Sequence, residues 1–170
     1  MKKKGICALA VCLAISLAIP ANVYAAKKND TATKKETVKT VTISAAGDCT
    51  LGVDSRYNNK FNEYYKSHDN KYFLKNVKSV FEKDDITIVN FEGTLTTSNN
   101  RAQKTFTFKG PAKYTGILKA GSVEVVNLAN NHTMDFGERG FKDTKAALKK
   151  AGIAYSYGTN IAYKTVDGVK

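Results

Sequence analysis

Three short apolar runs constrain the fold of this chain more than any other feature. Residues 41–46, 86–91 and 123–128 are rich in β-branched and aliphatic side chains, and the latter two are nearly continuous apolar stretches. A strand that is apolar on both sides belongs between layers, as in a parallel sheet, because neither side meets water. Helical patterns separate the runs. Phe73, Leu74, Val77, Val80 and Phe81 recur on one face and predict a helix over 71–83. Pro111 is placed to open a short helix that Gly121 closes. Residues 137–151 put Phe141, Thr144, Leu148 and Ala151 on one side, with Gly152 at the C-cap position. Residues 153–157 and 161–166 read as further strands, 105–109 as a short edge strand, and 53–69 as irregular. This alternation predicts an α/β fold: layered, with a mostly parallel central sheet and flanking helices.

The charge is unevenly spread. The 170 residues carry 27 Lys+Arg against 15 Asp+Glu, a formal net charge of +12. Half of it sits in residues 1–40. Lys2, Lys3 and Lys4 precede an apolar run over 6–19, Pro20 ends the run, and Val23 and Ala25 place small residues before a cut after Ala25. Residues 1–25 therefore read as a signal peptide, too short in apolar length for a membrane span of about 20 residues. Residues 26–40 read as a flexible basic tether. The expectation is an exported protein of the cell envelope. The remaining 41–170 is mildly basic, with scattered lysines and no aromatic interleaving, which argues against nucleic-acid binding. Two of the three cysteines lie in the leader, so Cys49 alone remains and no disulfide scaffold is expected. At the other end Asp167-Gly168 signals a tight hairpin. The sequence stops two residues later, so residues 41–170 read as the N-terminal part of a longer domain.

A polar cluster follows each of the three apolar strands: Asp48 after the first, Glu92 after the second, and Asn131, His132 and Asp135 after the third. In parallel α/β sheets the carboxyl ends of the strands form the ligand crevice, so these groups converge on one edge. Carboxylates beside an amide and an imidazole suit a divalent cation, which in turn holds an anion and activates water. Each residue also has a plain structural role available: Asp48 and Glu92 as turn residues, Asp135 as an N-cap. No Walker loop or dinucleotide fingerprint is present. His68 reads as a surface residue, and Cys49 lacks a partnering base.

The segments Ala46-Gly47-Asp48-Cys49-Thr50-Leu51-Gly52, Ile88-Val89-Asn90-Phe91-Glu92-Gly93-Thr94-Leu95-Thr96 and Asn127 through Gly137 resemble the bacterial capsule synthesis protein CapA family of poly-γ-glutamate production. That family is related to calcineurin-like metallophosphoesterases. The resemblance implies a metallophosphoesterase-like fold with a divalent metal, Mn, Mg, Fe or Zn, at the strand ends. Asp48, Glu92 and Asn131 would be metal ligands. His132 would stabilise charge or donate a proton, with Asp135 orienting it. The implied partners are poly-γ-glutamate or a phosphate-containing substrate and other capsule synthesis membrane proteins. The family's later histidine motifs fall beyond residue 170. A non-catalytic polyanion-binding scaffold, or an inactive fragment, is the alternative expectation.

Overall fold

The computed structural model describes residues 38–57 and 59–170. The expected leader and nearly all of the tether lie outside the described residues. In chain order the elements are β1 (Ile43–Cys49), α1 (Lys60–Ser67), α2 (Lys78–Phe81), β2 (Ile86–Phe91), β3 (Thr94–Leu95) and β4 (Lys109–Gly110). A single 3-10 turn, Ala112–Tyr114, leads into α3 (Thr115–Ala120), followed by β5 (Val125–Asn127), α4 (Gly137–Ala151) and β6 (Ala154–Ser156).

The central sheet has the order β1-β2-β5-β6, and each pairing is parallel. The expected α/β architecture is thus present. In β2 the side chains of Thr87, Val89 and Phe91 are buried, while Ile86, Ile88 and Asn90 are half-buried. One sheet face therefore carries the core, where Val89, Phe91 and Val126 meet Ile117, Leu118 and Leu148 of α3 and α4. The opposite face is open enough to leave Ile43 56% exposed. The near-continuous apolar run of β2 had implied burial on both faces; among the described residues the opposite face is covered only in part, with Val125 buried beside a half-buried Ile88.

Register places chemistry at one end of the sheet. Asp48 pairs with Asn90, and Asn90 with Asn127, which pairs with Ser156. A bulge at Gly47, between Ala46 and Asp48, brings Asp48 rather than Gly47 opposite Asn90. A second, two-stranded parallel sheet pairs β3 with β4. It is fixed to α4 by Thr144, whose hydroxyl accepts from Leu95 N–H at 2.8 Å and donates to the Gly140 carbonyl.

Helix α4 runs over the expected residues, and Gly152 ends it in the left-handed conformation at φ 75°. Its N-cap is Phe136 with no side-chain capping bond, so Asp135 is free for other work. The expected helix over 71–83 shrinks to Lys78–Phe81. Phe73 stacks on Phe61 with ring centroids 4.8 Å apart, and Leu74 packs closely on Gly121. Those tertiary contacts hold 71–77 in turns, leaving Val77 and Val80 exposed. Conversely, the irregular stretch 53–69 contains α1. The edge strand at 105–109 contracts to β4. Residues 161–166 form no strand, although the Asp-Gly turn does form: Asp167 and Gly168 both have positive φ, and Val166 and Val169 exchange backbone hydrogen bonds.

Candidate active site at the strand ends

The turn after β5 builds the centre of the site. Asn130 Oδ1 accepts from the His132 N–H at 2.9 Å, and Thr133 Oγ1 donates to the Leu128 carbonyl. These local bonds replace a regular element and turn His132 and Asp135 to the same side. Asp135 is fully buried. Its Oδ2 is 2.8 Å from His132 Nδ1 and accepts the Phe108 N–H at 2.6 Å. Its Oδ1 accepts from Lys104 Nζ at 2.8 Å. Lys104 Nζ also donates to the Asn131 carbonyl at 2.8 Å. The Phe108 ring packs on the imidazole, centroids 4.5 Å apart.

The chemistry of this arrangement follows from donors and acceptors. Nδ1 has two neighbours, Asp135 Oδ2 at 2.8 Å and Lys104 Nζ at 3.3 Å; donation to the closer carboxylate places the proton on Nδ1 and leaves the lone pair on Nε2. Nε2 faces Glu92 Oε1 at 3.9 Å, too long for a hydrogen bond. Both side chains are mostly buried there, at 10% and 16% exposure. Glu92 Oε2 accepts from the Thr50 hydroxyl at 3.1 Å. Alongside runs an amide chain on the sheet edge. Asn127 donates to Asn90 Oδ1 at 2.9 Å, Asn90 donates to Asp48 Oδ1 at 2.6 Å, and Asn130 donates to both Asn90 Oδ1 and the Phe91 carbonyl.

Three of the five expected site residues thus come together: Glu92, His132 and Asp135. Asp48 stands in the neighbouring amide chain, with Asn90 as its partner. Asn131 is exposed, and its backbone carbonyl is what engages Lys104. Sequence reasoning passed over Lys104 and gave no role to Asn90, Asn127 and Thr50, although these three stand in the segments that carry the family resemblance. Asn90 and Asn127 interrupt two apolar strands at their last turns, which was the available signal. Lys104, in a polar loop among many lysines, gave none.

A divalent cation can be tested against this donor set. Asp135 is neutralised by Lys104, whereas among the described residues Asp48 and Glu92 have only the neutral partners Asn90 and Thr50 apart from His132. Two carboxylates without a permanent cation suit a hard ion that keeps much of its water. Among the described residues no three His, Cys, Asp or Glu side chains gather into a metal-holding group. An ion held by Asp48 and Glu92 would complete its shell with water, not with a closed cage of side chains.

Elsewhere, burial pushes the Cys49 thiol up to about 11. His68 is exposed, its ring 3.8 Å from that of Tyr72.

A family model described as bacterial capsule synthesis protein PGA_cap matches residues 42–163. The chain belongs to this family. The PGA_cap match spans every residue of the strand-end site. Among curated proteins the chain is 33% identical over 136 residues to the PGA biosynthesis protein CapA of Bacillus subtilis, covering 74% of this chain and 34% of that protein. It is 26% identical over 141 residues to the capsule biosynthesis protein CapA of Bacillus anthracis, covering 76% and 33% respectively. A probable polyglutamine synthesis accessory protein of Mycobacterium tuberculosis is 39% identical over 70 residues, 41% of this chain and 18% of that protein. The chain spans about a third of the length of the first two relatives.

Proposed function

We propose that this chain is an exported component of poly-γ-glutamate capsule synthesis, and that its strand-end site receives an acidic group of the substrate beside a divalent cation. Its PGA_cap relatives carry names of that pathway, and the leader-like residues 1–25 support export to the envelope. The observation that carries the site reading is the buried Asp135 set against His132, whose other ring nitrogen faces Glu92.

Asp48 and Glu92 are the carboxylates that would hold the ion, with Asn131 at the rim. When bound, the ion supplies positive charge for a carboxylate or phosphate and acidifies a water. The chain's own groups do the rest. Asp135 fixes the imidazole through Nδ1, so His132 Nε2 is presented next to the bound acidic group as the proton donor or acceptor. Lys104 offsets the charge of Asp135. Phe108 covers one side of the imidazole and limits water.

The test is calorimetric titration with Mn2+ and then with γ-linked glutamate oligomers. Oligomer binding is expected to require the cation and to be lost in Asp48→Asn and Glu92→Gln. His132→Ala is expected to keep cation binding and to lose any hydrolysis of a phosphoester or polymer. Cation-independent binding unchanged in all three variants would overturn the proposal.

The second reading is a non-catalytic scaffold for a polyanion. The mildly basic body over 41–170 favours it, because an acidic polymer is attracted to such a surface without any metal. Binding would then weaken steeply with salt and ignore Mn2+.

A further inference from the structure

Behind the 105–109 segment, away from His132, lies a second polar concavity. It encloses about 170 Å³ and is lined by Asp54, Arg56, Asn99, Arg101, Thr107 and Lys109, among others. Three of these side chains are cationic and one is anionic. Asp54 is buried and already saturated: Arg56 grips it through Nε and Nη2 at 3.0 and 2.8 Å, Thr107 N–H donates at 3.0 Å, and Arg101 Nη2 stands 3.6 Å away. The single carboxylate therefore leaves a surplus of two positive charges in the cavity.

Arg101 is held rigidly. Nη1 donates to the Ala102 carbonyl at 2.9 Å, and Nη2 donates to the Lys104 and Thr105 carbonyls. Its Nε is buried and has no hydrogen-bond partner among the described residues. A buried N–H on a charged group without an acceptor is costly, and an anion or a water in the adjoining cavity is one way to offset it. Lys109 Nζ is held by the Ser98 carbonyl at 2.7 Å and by Asn99 Oδ1 at 2.8 Å. It lies 4.7 Å from the Phe136 ring centroid. Its partners among the described residues are all neutral, so no carboxylate there offsets its charge.

The backbone links this cavity to the strand-end site. Thr107 N–H donates to Asp54 and the next N–H, that of Phe108, donates to Asp135. Adjacent residues of one extended segment thus brace the two places from opposite sides. We propose that the Arg56–Arg101–Lys109 cavity is a second anion subsite that takes a carboxylate of an acidic polymer while another part of the same polymer occupies the strand-end site. It rests on the reading of an acidic-polymer substrate given above. Guanidinium groups suit this because they present several N–H donors in a fixed plane to a carboxylate. A polymer with one carboxylate per repeat offers both anchors on a single chain, and two linked contacts raise affinity beyond either alone.

The experiment is titration of the whole chain with a γ-linked glutamate oligomer, with free glutamate and with inorganic phosphate, in the parent and in Arg101→Gln, Arg56→Gln and Lys109→Gln. The expected result is about tenfold weaker oligomer binding in Arg101→Gln and Arg56→Gln, with a shallower salt dependence, and little change in Mn2+ binding. Free glutamate and phosphate should bind weakly and lose less. Equal losses for phosphate and oligomer would overturn the polymer assignment in favour of a small-anion site. Oligomer affinity unchanged within twofold would overturn the subsite. If Arg101→Gln unfolds, Arg56→Gln decides, because the Arg56 side chain is 44% exposed and Arg101 still faces Asp54. Unchanged affinity in these variants with loss in Glu92→Gln overturns the subsite alone; unchanged affinity in all of them overturns the substrate reading too.

Discussion

Asp135 Oδ2 lies 2.8 Å from His132 Nδ1, three residues upstream, with Asp135 wholly removed from solvent. The pair is fixed by the turn after β5, yet its surroundings come from a different part of the chain: Lys104 and Phe108 both belong to the 96–108 loop. The same carboxylate therefore orients the imidazole and ties two distant segments together. A buried carboxylate with three charged or polar partners is expensive to disturb.

Asp135→Asn should be clearly destabilising, by about 2–4 kcal/mol, since it leaves Lys104 facing a neutral group and gives Nδ1 an ambiguous partner. Urea unfolding measures this. A change below about 0.5 kcal/mol would mean that the loop is held by other contacts.

Mn2+ should raise the unfolding midpoint of the parent chain, because an ion bound only by the folded state stabilises it by mass action, about 2.7 kcal/mol at one hundred times Kd. Asp48→Asn and Glu92→Gln should each abolish that gain. A gain that persists in both variants would place the ion elsewhere.

Acid should weaken the fold through Asp54. The guanidinium of Arg56 beside it, with the N–H groups of Thr107 and Arg56, holds its carboxyl well below the usual carboxylate range, against the opposing effect of burial. The unfolded value is about 3.9. The folded value is depressed, so this contribution is fully present above the unfolded value and is lost as pH falls through the folded one. Urea midpoints measured between pH 6 and pH 2 should fall for the parent and fall less for Asp54→Asn. Parallel curves would remove Asp54 as a source of acid sensitivity.

Cys49 should resist alkylation at pH 8 while folded. Burial pushes its thiol up to about 11, so little thiolate exists at that pH. Timed labelling with iodoacetamide, native against urea-unfolded, should show much slower native modification. Fast native labelling would show an exposed, activated thiol.

Gly93 joins Glu92 to β3 at φ +112°, and a Cβ there would lie 2.9 Å from Phe108 Cβ. Gly93→Ala should cost about 1–3 kcal/mol through backbone strain and should shift Glu92 relative to His132. Thermal unfolding together with Mn2+ titration checks both effects. Wild-type stability with wild-type cation affinity would contradict the geometry.

Much of the fold was legible because period and punctuation are local. The strands β2 and β5, the helix α4 and its Gly152 cap, and the Asp167-Gly168 turn all follow from side-chain alternation and glycine placement. The helix expected over 71–83 failed where local periodicity met a stronger tertiary demand, the packing of Phe73 on Phe61 and of Leu74 on Gly121. Helix α1 was missed although Phe61, Tyr64 and Tyr65 stand at i, i+3 and i+4, because it spans only eight residues of an otherwise polar segment and the packing of Phe61 and Tyr65 on the core is a tertiary contact.

The sequence by itself determined the parallel α/β order, the polar cluster after each strand, and the His132–Asp135 spacing, since these depend on neighbours in the chain. Only the tertiary structure decided which of those groups meet. It set Glu92 against His132, kept Asp48 in the Asn90–Asn127 chain, and brought Lys104 to Asp135 and Arg101 to Asp54. Such contacts join segments dozens of residues apart, and their partners are chosen by register, burial and charge compensation, which no local pattern encodes.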